Sequence, residues 1–132
     1  MTLNNPDDYL GRIMNECYLI NKGVRSAFTD CLILTEFDEE DKESNKQFIK
    51  DLATNVNLED LIFYINEYPR REDDIPEYRY YDLWIFKYPH QLKIRDNLYK
   101  LDEYMREYVI GKLLGYSDQS MEEFLSKNYP ND

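Results

Sequence analysis

The sequence has few of the residues on which catalytic and cofactor-binding motifs depend. It contains four glycines, two cysteines and a single histidine, His90. The glycines do not form the pattern of a phosphate-binding loop, and no recognisable nucleophile motif surrounds His90. The sequence therefore predicts a protein that is not an enzyme and that holds no cofactor.

Two cysteines are too few for a disulfide framework. Cys17 and Cys31 lie in apolar stretches, without the nearby cysteine and histidine partners that a zinc site needs. The acidic run over residues 38–43 lacks the alternation and central glycine of a calcium-binding loop. We therefore expect two buried thiols and no metal site.

Long apolar runs are also missing. No stretch approaches the roughly 18–20 apolar residues that a membrane-spanning helix needs. The first residues lack the basic and then apolar pattern of a secretion signal. The expected location is the cytoplasm, without membrane contact.

The balance of charge argues against a general nucleic-acid-binding protein. The chain has 27 acidic and 16 basic residues, which gives a formal net charge of −11. Phosphate contacts favour a cationic surface instead. The 132 residues, of which 42% are apolar, suffice for one domain with its own core. We therefore expect a single domain over residues 1–132 that makes no direct contact with nucleic acid.

Helical patterns dominate the first half of the chain. Asn5 precedes an apolar stripe that predicts a helix over residues 6–22. Residues 24–37 fit either a helix or a buried strand, and a helix is favoured because no partner strand is evident. Further helices are predicted to begin at Ser44 and at Asn57, each of which can cap a first turn.

The second half begins with a charged, proline-containing segment, residues 68–76, that predicts an exposed loop. The aromatic segment 78–88 fits a strand or a short helix. A helical pattern then runs from Pro89, with a break where Asp102 can cap a new helix, and Ser117 can cap a last one. The predicted fold is mainly α: a compact single-domain bundle of about five or six helices.

Negative charge is concentrated in the middle of the chain. Residues 36–86 hold 15 acids and six bases, a net charge of −9. This block contains two acidic clusters and the start of the tyrosine-rich segment, and the whole chain has 13 tyrosines. The candidate partner-binding residues are Asp38, Glu39, Glu40, Asp41, Glu72, Asp73, Asp74, Tyr78, Tyr80 and Tyr81.

These candidates indicate a surface for a basic partner. Carboxylates attract a cationic protein from a distance, and tyrosine rings supply contact area once it has arrived. The tyrosine excess has a second explanation, since an AT-rich genome enriches this residue by codon drift alone. In size, acidity and lack of catalytic groups, the chain resembles inhibitor proteins of phages and mobile elements and immunity proteins for nuclease toxins, although it shares no motif with them.

The leading hypothesis is an inhibitor that docks on a basic, nucleic-acid-handling protein such as a nuclease and blocks it by occupancy. The alternative is a structural or assembly protein that self-associates through the tyrosine-rich segment. Both a monomer and a homodimer are compatible with the sequence.

Overall fold

A three-stranded antiparallel sheet lies at the centre of the protein. The computed structural model describes residues 5–130, so positions 1–4 and 131–132 of the predicted single domain lie outside the described residues. The strands are β1 (Ala27–Thr35), β2 (Ile62–Glu67) and β3 (Tyr78–Phe86). Their order is β1-β3-β2, so that the last strand in sequence is the central one.

Five α-helices lie within residues 5–130. They are α1 (Pro6–Asn21), α2 (Glu39–Leu58), α3 (Pro89–Asp96), α4 (Glu103–Leu113) and α5 (Asp118–Asn128). The fold is therefore α+β. The predicted mainly α bundle, and with it an all-α assignment, is wrong.

The error began at residues 24–37, where a helix was favoured and β1 is found. In β1, Phe28, Leu32 and Leu34 are buried on one face, which is the alternation of a strand. Its partner β3 follows more than 40 residues later, so a search for a neighbouring partner strand could not find it. The segment 78–88, which the sequence left open, contains that partner.

A second correction concerns the helices expected at Ser44 and Asn57. A single helix, α2, covers both positions, and Asp38 caps it. The acidic run over residues 38–41 forms the start of this helix, because carboxylates are favourable at the positive end of a helix dipole. Asp60, with a φ of 59°, then turns the chain into β2.

Local signals at the helix ends were read correctly. The helix expected over residues 6–22 is α1, and the Asn5 side chain accepts hydrogen bonds from its first turn. Asp102 and Ser117 cap α4 and α5, as their positions indicated. The charged segment 68–76 connects β2 to β3.

The main core lies between one face of the sheet and helices α1 and α2. Its members include Ile13 of α1, Leu52 and Val56 of α2, and Leu83 of β3, all fully buried. Cys17 is also buried here, as expected. Cys31 is exposed instead, because it lies on the other face of β1.

The opposite face of the sheet is covered over only part of its length. Trp84 and Phe86 of β3 stack on each other, and with Ala27 and Leu113 they form a smaller core under α3 and α4. This cover lies at the end of the sheet where β3 finishes. Towards the other end, the same face carries Tyr80, which is half-buried.

A polar cluster fixes α3 against this face. Asp82 is buried and accepts a hydrogen bond of 2.9 Å from Trp84 Nε1. Its other oxygen pairs with the guanidinium of Arg95 in α3. Arg95 in turn lies over the Tyr64 ring, 4.4 Å from its centroid. A buried carboxylate is tolerated here because a cation and an N–H satisfy it.

Replacing Asp82 by alanine is expected to reduce the free energy of unfolding by about 2–3 kcal/mol, because it leaves the Trp84 N–H and Arg95 without their acceptor. Urea titration followed by the fluorescence of Trp84, the single tryptophan, measures the loss. Asp96→Ala is the matched control, since Asp96 is exposed and only 3.7 Å from the same arginine; it should cost about 1 kcal/mol or less. Equal losses in both variants would contradict the role of Asp82.

A second prediction concerns Cys17. Burial raises the pKa of its thiol from about 9 to about 11, and the charges of Glu59 and Glu16 add to the effect. The folded state holds the thiol proton more tightly than the unfolded state does. The contribution of the protonated thiol to stability is therefore complete below pH 9 and is lost between pH 9 and 11. Cys17→Ala should therefore lose less stability than the wild type over this range, by about 1–2 kcal/mol. Val56→Ala, which opens a cavity in the same core but keeps the thiol, should follow the wild type. Parallel pH profiles for both variants would disprove the assignment.

Candidate protein-docking surface

The two predicted acidic clusters lie at the same end of the sheet. Thr35, the last residue of β1, pairs with Tyr78, the first residue of β3. The first cluster follows Thr35 by three residues, and the second precedes Tyr78 by four. We call the β1–α2 junction with the first turn of α2 (residues 36–41), together with the β2–β3 loop (residues 68–77), the acidic end. It contains nine acids and two bases.

Two members of the first cluster also build the start of α2. The Asp38 side chain accepts a hydrogen bond of 2.8 Å from the Asp41 backbone N–H. Asp41 Oδ2 in turn accepts one of 2.9 Å from the N–H of Phe37. Glu39 and Glu40 lie in the first turn and are exposed. Their charges are stabilised by the helix dipole while they remain in contact with solvent.

The second cluster lies on a loop that hydrogen bonds hold in place. Asp74 Oδ2 accepts from the N–H of Arg71 at 2.8 Å. The Arg70 guanidinium donates to the carbonyl oxygens of Pro76 and Tyr78. Between these fixed points the loop presents Glu72 and Asp73 to solvent.

The charge of these clusters is not neutralised internally. Among the ion pairs formed within residues 5–130, none involves any of the seven predicted acids. Arg79, the second residue of β3, pairs with Glu36 and Glu67 instead. Negative potential therefore extends from this end into solvent.

The predicted tyrosines divide between the two faces of the sheet. The rings of Tyr78 and Tyr80 lie on the open face, with centroids 6.3 Å apart. Tyr81 points the other way and packs against the main core. Successive side chains of a strand alternate in direction, so three near-adjacent tyrosines cannot share one surface. The structure thus brings Tyr78 and Tyr80 to the acidic end and separates Tyr81 from them.

Three exposed apolar side chains at this end were not singled out from the sequence. Phe37 is 71% exposed, Ile75 47% and Tyr68 45%. The N–H of Tyr68 donates to the carbonyl of Tyr80 at 2.8 Å, which makes the two residues cross-strand neighbours. Phe37 had one usable signal, since four consecutive acids follow it directly and keep its neighbours in solvent.

An open cavity of about 390 Å³ lies between the loop and the uncovered half of the sheet. It brings together one predicted acid and one predicted tyrosine with residues from β1 and the loop. The lining residues are Cys31, Tyr68, Pro69, Arg71, Asp74 and Tyr80. The cavity is therefore part of the acidic end and gives it a concave feature.

Burial raises the pKa of two phenols on the β2–β3 pair, Tyr68 and Tyr81. Burial, with the Asp82 charge and a hydrogen bond to Asp82, raises the pKa of Tyr68 to about 12. Burial also raises the pKa of Tyr81, with Glu67 and Glu36 adding to the effect. These rings act as neutral aromatic surfaces and do not add to the negative charge around physiological pH.

Neither metal chemistry nor a relative assigns a role to this surface. Within the described part of the chain, no group of three or more histidine, cysteine or acidic side chains could hold a metal ion. None of the helices in that part combines the length and apolarity that crossing a membrane requires. Comparison with protein-family models, curated proteins and solved structures finds no match.

The capping role of Asp38 predicts a measurable loss of stability. Asp38→Ala removes the acceptor for the Asp41 N–H and should cost about 1 kcal/mol in urea unfolding. Glu40→Gln is the matched control at the same helix end, because it removes a charge but no hydrogen bond, and it should cost about 0.5 kcal/mol or less. If Asp38→Ala unfolds at the wild-type urea concentration, the cap contributes nothing and Asp38 has no structural role.

Proposed function

We propose that this protein is a non-enzymatic inhibitor that docks its acidic end on a basic surface of a nucleic-acid-handling protein, such as a nuclease. The observation that supports this most is that both acidic clusters lie at one end of the sheet beside exposed aromatic side chains, and that none of their seven acids forms an ion pair within residues 5–130. A surface that served solubility alone would need the charge but not the rings.

The acids and the rings have different tasks in this proposal. Glu39, Glu40, Glu72 and Asp73 are exposed and supply the long-range field that attracts a cationic partner and raises the rate of association. Apolar contact acts only after collision, and large aromatic side chains carry much of the binding energy in protein interfaces. Phe37, together with the tyrosines of the open face, supplies this contact.

Inhibition follows from occupancy. A cationic groove that receives nucleic acid binds the regularly spaced negative charges of the phosphate backbone. The acidic end presents several carboxylates on a rigid support, since α2 and the central strand hold them. A protein bound through this end covers the groove, so binding of the inhibitor and of nucleic acid is expected to be mutually exclusive.

The geometry favours a foreign partner over self-association through the tyrosine-rich segment. β3 is the central strand, so both of its edges are already paired. Trp84, Ile85 and Phe86 are buried within the chain itself. The parts of the segment that remain accessible to another molecule are its beginning, around Tyr78 and Tyr80, and its exposed last residues, Lys87 and Tyr88. A stable oligomer by light scattering that buries these tyrosines would instead support the assembly protein.

The test is the double charge reversal Glu72→Lys with Asp73→Lys, because neither side chain supports the fold. A partner is first captured from the native host at low salt and identified, and its association with the purified chain is then measured. We expect the reversal to lower the association rate constant about tenfold or more at low salt. The salt dependence should become flatter, and the dissociation rate should change less.

The matched control is Glu122→Lys with Glu123→Lys, which makes the same change of net charge on α5, a helix that packs against α4. This variant should associate at close to the wild-type rate. Equal effects of the two reversals would mean that only net charge matters. A captured partner that neither binds nucleic acid nor presents a basic surface would also contradict the proposal.

A further inference from the structure

The cavity at the acidic end points to a specific feature of the partner. We propose that it receives a single arginine side chain, whose guanidinium lies against the rings of Tyr68 and Tyr80 and pairs with the Asp74 carboxylate. This inference rests on the proposed function, since it names the group by which a basic partner is recognised.

The lining has the chemistry that a guanidinium needs. Tyr68 and Tyr80 are cross-strand neighbours and both line the cavity. Aromatic faces attract cations, and the planar guanidinium stacks on them better than an ammonium does. Asp74 holds the Arg71 N–H with Oδ2 alone. Within residues 5–130 its second oxygen, Oδ1, has no hydrogen bond and is left for a charge-assisted one.

The same face of the sheet already holds one arginine in this way. Arg95 of α3 lies over the Tyr64 ring and pairs with the Asp82 carboxylate. Tyr64 and Tyr68 are four residues apart along β2 and its extension, so their side chains lie on the same face of the sheet. Tyr80 and Asp82 are two residues apart in β3 and share that face. The cavity thus repeats the ring-and-carboxylate arrangement at the end of the sheet over which no helix of residues 5–130 lies. Among residues 5–130, Arg71 is the only arginine that lines the cavity, so the arginine that we propose to bind there is supplied by another molecule.

Arg71 also lines the cavity, and its removal is expected to strengthen binding, whereas removal of the other lining side chains weakens it. Its positive charge opposes the entry of a second cation. Arg71→Ala should therefore strengthen the binding of an arginine derivative, whereas a nonspecific apolar pocket would lose contact area and bind it more weakly.

The experiment titrates the full chain, labelled with ¹⁵N, with Nα-acetyl-arginine amide and follows the backbone amide shifts. Saturable shifts are expected for the residues that line the cavity. The citrulline derivative has nearly the same shape but no charge, and its affinity should be lower by about tenfold or more. The lysine derivative should fall between the two, because an ammonium cannot stack.

Variants locate the binding site. Tyr68→Ala and Asp74→Asn should each weaken arginine binding about fivefold, while Asp74→Asn keeps an oxygen for the Arg71 N–H and so preserves the loop. Tyr99→Ala is the matched control, because Tyr99 is a highly exposed tyrosine outside the cavity, and it should bind like the wild type. Trp84 fluorescence checks that every variant is folded.

Several outcomes would overturn the inference: equal binding of the citrulline derivative, shifts centred outside the cavity, or no weakening in Tyr68→Ala. The result is separable from the proposed function. If the arginine derivative fails while the Glu72 and Asp73 reversal still slows association of the partner, the acidic end docks without an arginine receptor. If the derivative binds as expected but the reversal has no effect, the cavity is an arginine-binding site and the proposed electrostatic attraction of the partner is contradicted.

Discussion

The antiparallel pairing of β3 with both neighbours is the constraint on which the rest of the structure depends. Its register sets Thr35 against Tyr78 and Glu67 against Tyr81, which brings the end of β1, the end of β2 and the start of β3 to one edge of the molecule. The helix that follows β1 and the loop that joins β2 to β3 must then start from neighbouring points. Because side chains alternate along a strand, a shift of the register by one residue would exchange the faces of Tyr80 and Tyr81. The acidic end is thus a consequence of sheet geometry, although its residues are far apart in sequence.

Gathering so many acids at one place costs repulsion, and the structure reduces this cost by position. Asp38 and Asp41 satisfy backbone N–H groups at the start of α2, where the helix dipole favours negative charge. Asp74 stabilises a turn of the loop. The remaining acids are exposed and hydrated, so their repulsion is weakened by solvent and salt. Some carboxylates therefore have a structural explanation. Glu72 and Asp73 have none within the described chain, so we attribute them to the binding of a partner.

Sequence patterns predicted the features that depend on near neighbours. The caps at Asn5, Asp102 and Ser117 were found because a cap and its helix lie within four residues of each other. β1 was misread because its hydrogen-bonding partner is distant in sequence, and short apolar runs fit helix and strand equally. The acidic clusters were identified from composition, but the division of the tyrosines between two faces required the register. The sequence pattern predicts a loop at Tyr68, although its backbone N–H continues the ladder between β2 and β3.

The uncovered half of the sheet carries tyrosines where a polar surface would be expected. Helices α3 and α4 cover the face as far as Asp82 and Arg95. Beyond this point no helix within residues 5–130 lies above Tyr78, Tyr80 and Tyr68. Tyrosine suits such a place, because its hydroxyl is hydrated while the ring still offers apolar area to an incoming molecule. A face designed only for solvent would carry lysine, glutamate or threonine at these alternate positions. The rings, the cavity and the uncompensated carboxylates at one end of a rigid sheet therefore have a common explanation in a basic partner that completes the cover.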